Sequence, residues 1–349
     1  MGILMSILRC IGVWFHLQSR PIALESSSLG SLPLELILHI VQFLPPESTL
    51  SFCLCCWPIY STLKSQYVKI IKDDQQLDRY KFLTLLERDL PDYILCYYCR
   101  RLHAIKKAHQ YFYNNRQYYN RGDLLPCCQV DSNNMTSSNI HCAFSFTVFH
   151  MTMKLYRQGS DFSKLLKLLS HQSRAYVDSS YSTIEKRSAS SKIAAGSLFI
   201  REQRRFIMPP MQPITISENI ILTICRHILF SSWRYYGHRD IMDIVRWRES
   251  RSYQNGNRLI KCKYCFTEFR TDFKELGKRG NALYVTKWQD LGHGLSPLDP
   301  KWQSHISEDR PCKRVKFDLG SICSAVEGKE HVEFELAYDW CYLAYIILS

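Results

Sequence analysis

The segment from Leu32 to Leu44 limits what this chain can fold into more than any other part of the sequence. Nine of its thirteen residues are Leu, Ile, Val or Phe. At a helical period they form two stripes, Leu36, Ile40, Phe43 and Leu44 on one and Leu34, Ile37, Leu38 and Val41 on the other. A helix that is apolar on two faces must be buried on two faces. About forty residues of short helices cannot supply both halves of that burial. The second face must therefore contact either the rest of this chain or another protein.

The residues around this segment predict a helical module. Pro33 suits the first turn of a helix, where its missing N–H costs nothing, and Pro45 with Pro46 ends the helix. We predict a second and a third helix over Glu47–Cys56 and Ile59–Gln66, and a fourth that Asp73 or Asp74 caps and that ends at Asp89. A linker precedes the module, because residues 25–30 are rich in Ser and end in Gly.

The pattern changes beyond Asn120, where β-branched and aromatic residues alternate with Gly and Pro. We predict strands of a mostly antiparallel sheet over Ala143–Leu155, Lys192–Ile207, Leu259–Phe273 and Ala282–Trp288. A helix over His331–Leu348 closes the chain. The fold class that follows is α+β, with helices first and a mixed, mostly antiparallel β region after them.

The helical module resembles a known family. Leu32-Pro33-Leu34-Glu35 followed by an apolar helix, Pro45, and the Leu-rich stretch Leu50 to Cys56 is similar to an F-box. The resemblance implies three helices that dock onto the Skp-type adaptor of a cullin–RING (SCF) ubiquitin ligase. Its adaptor-binding positions are Leu32, Pro33, Leu36, Ile40, Leu44 and Leu50. The chain departs from the family at residues 55–58, where Cys-Cys-Trp-Pro replaces a basic residue before an aromatic. A helical hairpin buried in its own domain remains the alternative.

The resemblance also sets the predicted organisation and function. Residues 1–30 form a tail and linker, 31–70 the F-box, and 71–349 a cysteine-rich α+β receptor region. Residues 85–103, 262–269 and 285–292 are similar to a fungal group of F-box proteins. The implied function is that of a substrate receptor without catalysis of its own. No local signature pairs a nucleophile with its base.

The fifteen cysteines predict metal sites, because several lie in close pairs and an odd total does not suit complete disulfide pairing. Cys96 and Cys99 form the first pair, with His103 one helical turn further on and Cys127 or Cys128 as the fourth ligand. The second set joins Cys225 and His227 to Cys262 and Cys265. On a strand, Cys225 and His227 would point to the same face. Thiolate and imidazole favour a closed, structural zinc site. Buried free cysteines and disulfides stay open as alternatives, whereas the ligand order excludes a RING.

A formal charge of +13 and a pI near 9.0 favour anionic partners. The segment Tyr111–Arg121 interleaves aromatics with cations, as proteins that stack on bases do, and Arg201, Arg204 and Arg205 add a second basic cluster. A zinc-stabilised nucleic-acid-binding protein is therefore the alternative function. No folded nucleic-acid motif frames the cluster, so aromatic residues packed in a core with solvated arginines are expected instead.

The termini give no membrane span, because the apolar stretches at residues 10–17 and 340–349 are too short. Gly2 and Ser6 fit the minimal myristoylation pattern, although an amphipathic tail packed on the body or a disordered leader is the expected interpretation of residues 1–17. Residues 311–316 resemble a short nuclear-import signal, and a strand with exposed basic residues explains them as well. We expect an intracellular protein of the cytoplasm, the nucleus or both.

Overall fold

The structure, a computed structural model, divides the chain into two compact units, Met1–Ile105 and Lys106–Ser349. It describes residues 28–29, 31–54, 59–61, 63, 78–111, 139–141, 144–173, 175–178, 183–208, 221–231, 239–240, 259–276, 280–306 and 313–328. Helices and antiparallel sheets are both present, so the α+β class is confirmed.

The first unit contains the predicted helical module. Helices α1 (Leu34–Gln42) and α2 (Pro46–Cys53) are separated by a Pro45 turn, and residues 59–61 and 63 are also helical. Helix α1 is two residues shorter at each end than predicted, because Phe43 and Leu44 close it with tight bonds to the carbonyls of Ile40 and Val41. Helix α3 spans Arg79–Asp89.

Helix α3 starts later than predicted because a different aspartate caps it. Asp78 accepts hydrogen bonds from the N–H groups of Tyr80 and Lys81, at 3.0 and 3.1 Å, and so satisfies two donors that a helix start leaves open. Asp73 and Asp74, the predicted caps, lie outside the described residues.

One hydrophobic cluster holds this unit together. Its buried members come from α1, α2, the helical residues near position 60, α3 and β1: Val41, Leu50, Cys53, Leu54, Ile59, Leu63, Phe82, Leu83, Leu86 and Leu95. After α3 a hairpin of β1 (Tyr93–Leu95) and β2 (Leu102–Ala104) follows, and then a 3-10 helix, Ile105–Tyr111.

The second unit is built on a seven-stranded sheet in the order β10-β11-β12-β6-β5-β3, with β4 also paired to β5. The strands are β3 (His171–Gln172), β4 (Tyr176–Asp178), β5 (Thr183–Ala194), β6 (Ser197–Met208), β10 (Ile260–Lys261), β11 (Thr267–Glu275) and β12 (Asn281–Asp290). A smaller sheet contains β7 (Ile221–Cys225), β8 (Ile228–Ser231) and β9 (Arg239–Asp240), in which β7 and β8 are antiparallel and β8 and β9 parallel.

Two of the predicted strands are each interrupted by a turn. Residues 192–207 are the end of β5 and most of β6, joined by Ala195 and Gly196, which both have positive φ (46° and 76°). Residues 259–273 are β10 and most of β11 around a turn at 262–266. The predicted strand over 282–288 lies inside β12.

The strand predicted over Ala143–Leu155 is wrong, because this segment is helix α4, Phe146–Arg157. Its residues 146–154 are all buried, and a helix that is buried all round shows no amphipathic period that would distinguish it from a strand. Ser145 caps it by accepting from the N–H of Val148 at 3.4 Å. Helices α5 (Ser163–Leu168), α6 (Pro300–Ile306) and α7 (Ser321–Glu327) complete the second unit.

The predicted C-terminal helix, His331–Leu348, lies outside the described residues. Among the residues that the structure does describe, no helix has both the length and the apolar character that crossing a membrane requires.

Three buried histidines should make the second unit sensitive to acid. Burial lowers the pKa values of His141, His150 and His305 to about 4, from 6.5. Because the unfolded chain binds protons more readily, stability is complete above about pH 6.5 and falls as the pH approaches 4. Each histidine contributes at most roughly 3 kcal/mol to this loss.

Denaturant unfolding at a series of pH values measures the effect. We expect the His150→Leu variant to show a shallower decline in unfolding free energy between pH 6.5 and 4 than the wild type. An equal slope in both proteins would mean that His150 accepts its proton without resistance from the fold.

Candidate functional site

Helix α1 exposes an apolar face. The exposed fractions of Leu34, Leu36, Ile40 and Phe43 are 48%, 49%, 40% and 76%, which is unusual for large apolar side chains on an ordered helix. The opposite side of the helix is packed, since Val41 is only 4% exposed and Leu38 lies against the core cluster. Leu36, Ile40 and Phe43 of the first stripe thus face the solvent. In the second stripe Val41 is buried and Ile37 and Leu38 are half-buried, whereas Leu34 is exposed.

The six predicted adaptor-binding residues do not all lie on this face. Leu36 and Ile40 do, whereas Leu32 and Leu44 are half-buried at the two ends of α1 and Pro33 is exposed. Leu50 is fully buried in α2, so its side chain supports the module from inside.

Phe43 was not among the predicted contact residues, although it belongs to the same stripe as Leu36 and Ile40. It is the most exposed large apolar side chain among the described residues. The ring of His39 packs edge-on against it, with centroids 5.0 Å apart, and this contact limits the motion of the exposed ring.

A second feature is a buried cluster of three thiols and an imidazole in the second unit. The candidate ligand atoms of Cys225, His227, Cys262 and Cys265 all lie within 4.8 Å of one another. The predicted set is therefore brought together, across 34 intervening residues. Three thiolates and an imidazole match a closed, four-coordinate structural site.

The turn between β10 and β11 positions Cys262 and Cys265. The N–H of Cys262 donates to the Thr267 carbonyl at 2.9 Å, and the N–H of Thr267 donates to the Cys265 carbonyl at 2.8 Å. The N–H of Tyr264 points to the Cys262 sulfur at 3.4 Å. Both cysteines are 0% exposed. This local geometry fixes both sulfurs toward one side of the turn.

Of the other two ligands only Cys225 lies on a strand, which corrects the prediction that one strand carries both. Cys225 is the last residue of β7, and His227 lies in the two-residue turn before β8. The chain reversal, together with a register irregularity between Thr223 and Cys225, brings the two side chains to the same place.

The electrostatics of the cluster favour a cation. Burial, and then hydrogen bonds and charge interactions with the thiols of Cys225 and Cys262, raise the pKa of Cys265 well above its usual value. Without a cation the Cys265 thiol stays protonated, whereas a bound metal ion would compensate the charge of a thiolate.

A three-ligand cluster lies in the first unit. The candidate ligand atoms of Cys96, Cys99 and His103 lie within 4.8 Å of one another, and the Cys99 sulfur is 3.1 Å from Nε2 of His103. The segment is the β1–β2 hairpin and not a helix, so His103 reaches the site from β2. Arg100 has a positive φ of 52° in the connecting turn.

The imidazole of this cluster is ready to act as a ligand. Burial, followed by the charge of Arg101, lowers the pKa of His103 to about 4, so the ring is neutral near pH 7. The predicted fourth ligand, Cys127 or Cys128, lies outside the described residues. The seven described cysteines are free thiols, so no disulfide forms among them.

The alternative nucleic-acid segment is described only at Tyr111, which is 5% exposed, because residues 112–121 lie outside the described part of the chain. The predicted arginine cluster does not form one surface. Arg204 lies on the buried side of β6 and pairs with Glu185 at 2.7 Å, whereas Arg201 pairs with Glu327 at 2.8 Å.

Comparison with known families identifies one part of the chain. The model of the F-box domain matches residues 29–71, which include α1, α2 and the helical residues near position 60. No curated protein matches the chain, and no solved structure does.

Proposed function

We propose that this protein is a substrate-receptor subunit of an SCF-type ubiquitin ligase. In this proposal the F-box binds the Skp-type adaptor, and the rest of the chain presents a target protein. The observation that supports it best is the exposed apolar face of α1 inside the segment that matches the F-box domain.

The exposed face has the chemistry of a docking surface. Leu36, Ile40 and Phe43 follow one another at helical spacing, so they form a continuous row along two turns. Burying each side chain on a partner contributes about 1–2 kcal/mol, enough for three residues to dominate an interface. The packed side of α1 keeps this row rigid, which lowers the entropy cost of binding.

The proposed mechanism is proximity and not catalysis. A receptor that holds a target beside the ubiquitin-charged enzyme raises the effective concentration of the target lysine. The residues of this chain then bind and orient the target, and the partners form the bond between ubiquitin and the target lysine.

We further propose that zinc occupies the cluster of Cys225, His227, Cys262 and Cys265. Zinc matches this donor set, and a site with four protein ligands leaves no open position, so its role is structural. The ion would tie the β7–β8 turn to the β10–β11 turn. Free thiols persist in reducing compartments, and we accordingly place the protein inside the cell.

Affinity capture tests the receptor proposal. The tagged full-length chain is compared with its Leu32→Ala/Pro33→Ala variant, and the co-purified proteins are quantified by mass spectrometry. We expect the adaptor and a cullin to co-purify with the wild type and to be lost with the variant. The other co-purified proteins should be the same for both. Equal recovery of the adaptor with the two proteins would refute the adaptor-binding role proposed for Leu32 and Pro33 at the start of α1.

A further inference from the structure

One row of side chains on the large sheet concentrates positive charge that nothing in the described structure neutralises. Lys186 on β5 lies directly opposite Arg205 on β6, and Arg205 lies directly opposite Tyr284 on β12. Lys274, on β11, places its ammonium 5.5 Å from the centre of the same tyrosine ring. Lys186 and Lys274 are exposed, and Arg205 and Tyr284 are half-buried.

Directly opposed cations on neighbouring strands destabilise a sheet, and the other face of the same two strands shows how this cost is avoided. There Arg187 lies opposite Arg204, and Glu185 pairs with both, at 2.6 and 2.7 Å. Among the described residues, no carboxylate forms an ion pair with Lys186, Arg205 or Lys274.

The carboxylate nearest in register does not neutralise these three cations. Asp272 lies opposite Tyr284 on β11, but it pairs with Arg270 at 3.0 Å. The Nε atom of Arg205 is buried and has no hydrogen-bond partner among the described residues. The guanidinium lies over Tyr284, with Cζ 5.6 Å from the ring centre.

The covered end of the same sheet face indicates what kind of group satisfies these cations. Helix α7 packs there, and its Glu327 accepts from Arg201 at 2.8 Å and from the indole N–H of Trp288 at 2.9 Å. Arg201 is four positions before Arg205 on β6 and therefore on the same face. An acidic side chain from a covering element thus neutralises one cation of this face.

From these contacts we propose that the row of Lys186, Arg205 and Lys274, the cationic row, binds an acidic segment of another protein. The row crosses four neighbouring strands at about 4.8 Å per strand, so it spans ~14 Å. Carboxylates on alternate residues of an extended segment repeat every ~6.6 Å, and three of them span ~13 Å. A segment with Asp or Glu at every second position therefore fits the row.

A protein segment fits this row better than a nucleic acid. Single-stranded nucleic acids bind by stacking bases on exposed aromatic rings between cations. Here a guanidinium and an ammonium, from the two strands that flank β12, already lie over Tyr284. Because the ring already contacts two cations, a base does not stack on it, and a ligand binds this row by charge pairing. That this segment belongs to the target of a ligase rests on the proposed function, whereas the binding itself does not.

Fluorescence anisotropy on the full-length protein tests the proposal. The probe is a labelled heptapeptide with Glu at every second position, and the reference probe has Gln at the same positions. We expect Lys186→Gln/Lys274→Gln to weaken binding of the Glu peptide at least about five-fold at low salt. The control variant, Lys164→Gln/Lys167→Gln, removes the same charge from exposed positions on α5 and should leave the affinity unchanged.

Three outcomes would decide against the row. Equal weakening in the control would show attraction to net charge alone, and equal binding of the Gln peptide would show that charge pairing does not contribute to binding. The third outcome is that single-stranded RNA of matched charge binds more tightly than the Glu peptide. If that binding depends on the same two lysines, the face is a nucleic-acid-binding surface. Retained peptide binding in a Leu36→Asp/Ile40→Asp variant keeps this test independent of adaptor binding.

Discussion

Placing two aspartates on the exposed face of α1 should abolish adaptor binding. Leu36 and Ile40 are 49% and 40% exposed, so Leu36→Asp/Ile40→Asp changes the surface without opening the core. The variant loses apolar burial and would have to desolvate two carboxylates in the interface. We expect the adaptor affinity, measured by calorimetry, to fall at least about a hundred-fold, because the two effects together exceed ~2.8 kcal/mol.

A matched control lies on the same helix. Gln42 is exposed but outside the apolar row, and Gln42→Asp should leave the affinity within about two-fold, as surface substitutions usually do. Raised salt should change the wild-type affinity little, since the contact is apolar. Undiminished adaptor binding by the double variant, with an unchanged melting temperature, would place the interface elsewhere.

Removing one cysteine of the four-ligand cluster should release a metal ion and destabilise the second unit. A structural zinc ion contributes its binding free energy to folding. We therefore expect Cys262→Ser to lower the zinc content by about one ion per chain and the melting temperature by ~10 °C or more. Elemental analysis and thermal unfolding of reduced protein measure the two quantities, and a strong chelator should reproduce the shift in the wild type.

Cys323 provides the matched control, because it is 3% exposed, packs in another cluster and is not among the candidate ligands. Cys323→Ser should keep all the zinc, although it loses some stability from packing. In the first unit, the zinc content of a Cys99→Ser variant shows separately whether the three-ligand cluster holds an ion. The proposal is contradicted if the folded, reduced wild type contains no zinc and a chelator leaves its melting temperature unchanged. The four residues would then be ordinary core side chains.

The sequence by itself determined the features that depend on neighbouring residues. The period of Leu32 to Leu44 showed a helix with two apolar faces, and the close spacing of Cys262 and Cys265 showed two sulfurs within reach of one ion. Both follow from backbone geometry over a few residues. The match to the F-box domain at residues 29–71 rests on the same local pattern.

Only the tertiary structure decided the features that depend on distant segments. The packing of α3, residues 79–89, against α1 and α2 determines which apolar face of α1 stays exposed. Residues 146–157 form a helix where the composition favoured a strand, and burial of residues 146–154 on all sides explains why no amphipathic period indicated it. The pairing of β6 with β5 and β12 determines which cations meet a carboxylate and which do not. Each of these outcomes depends on contacts between residues far apart in the chain, and such contacts leave no periodic signal in the sequence.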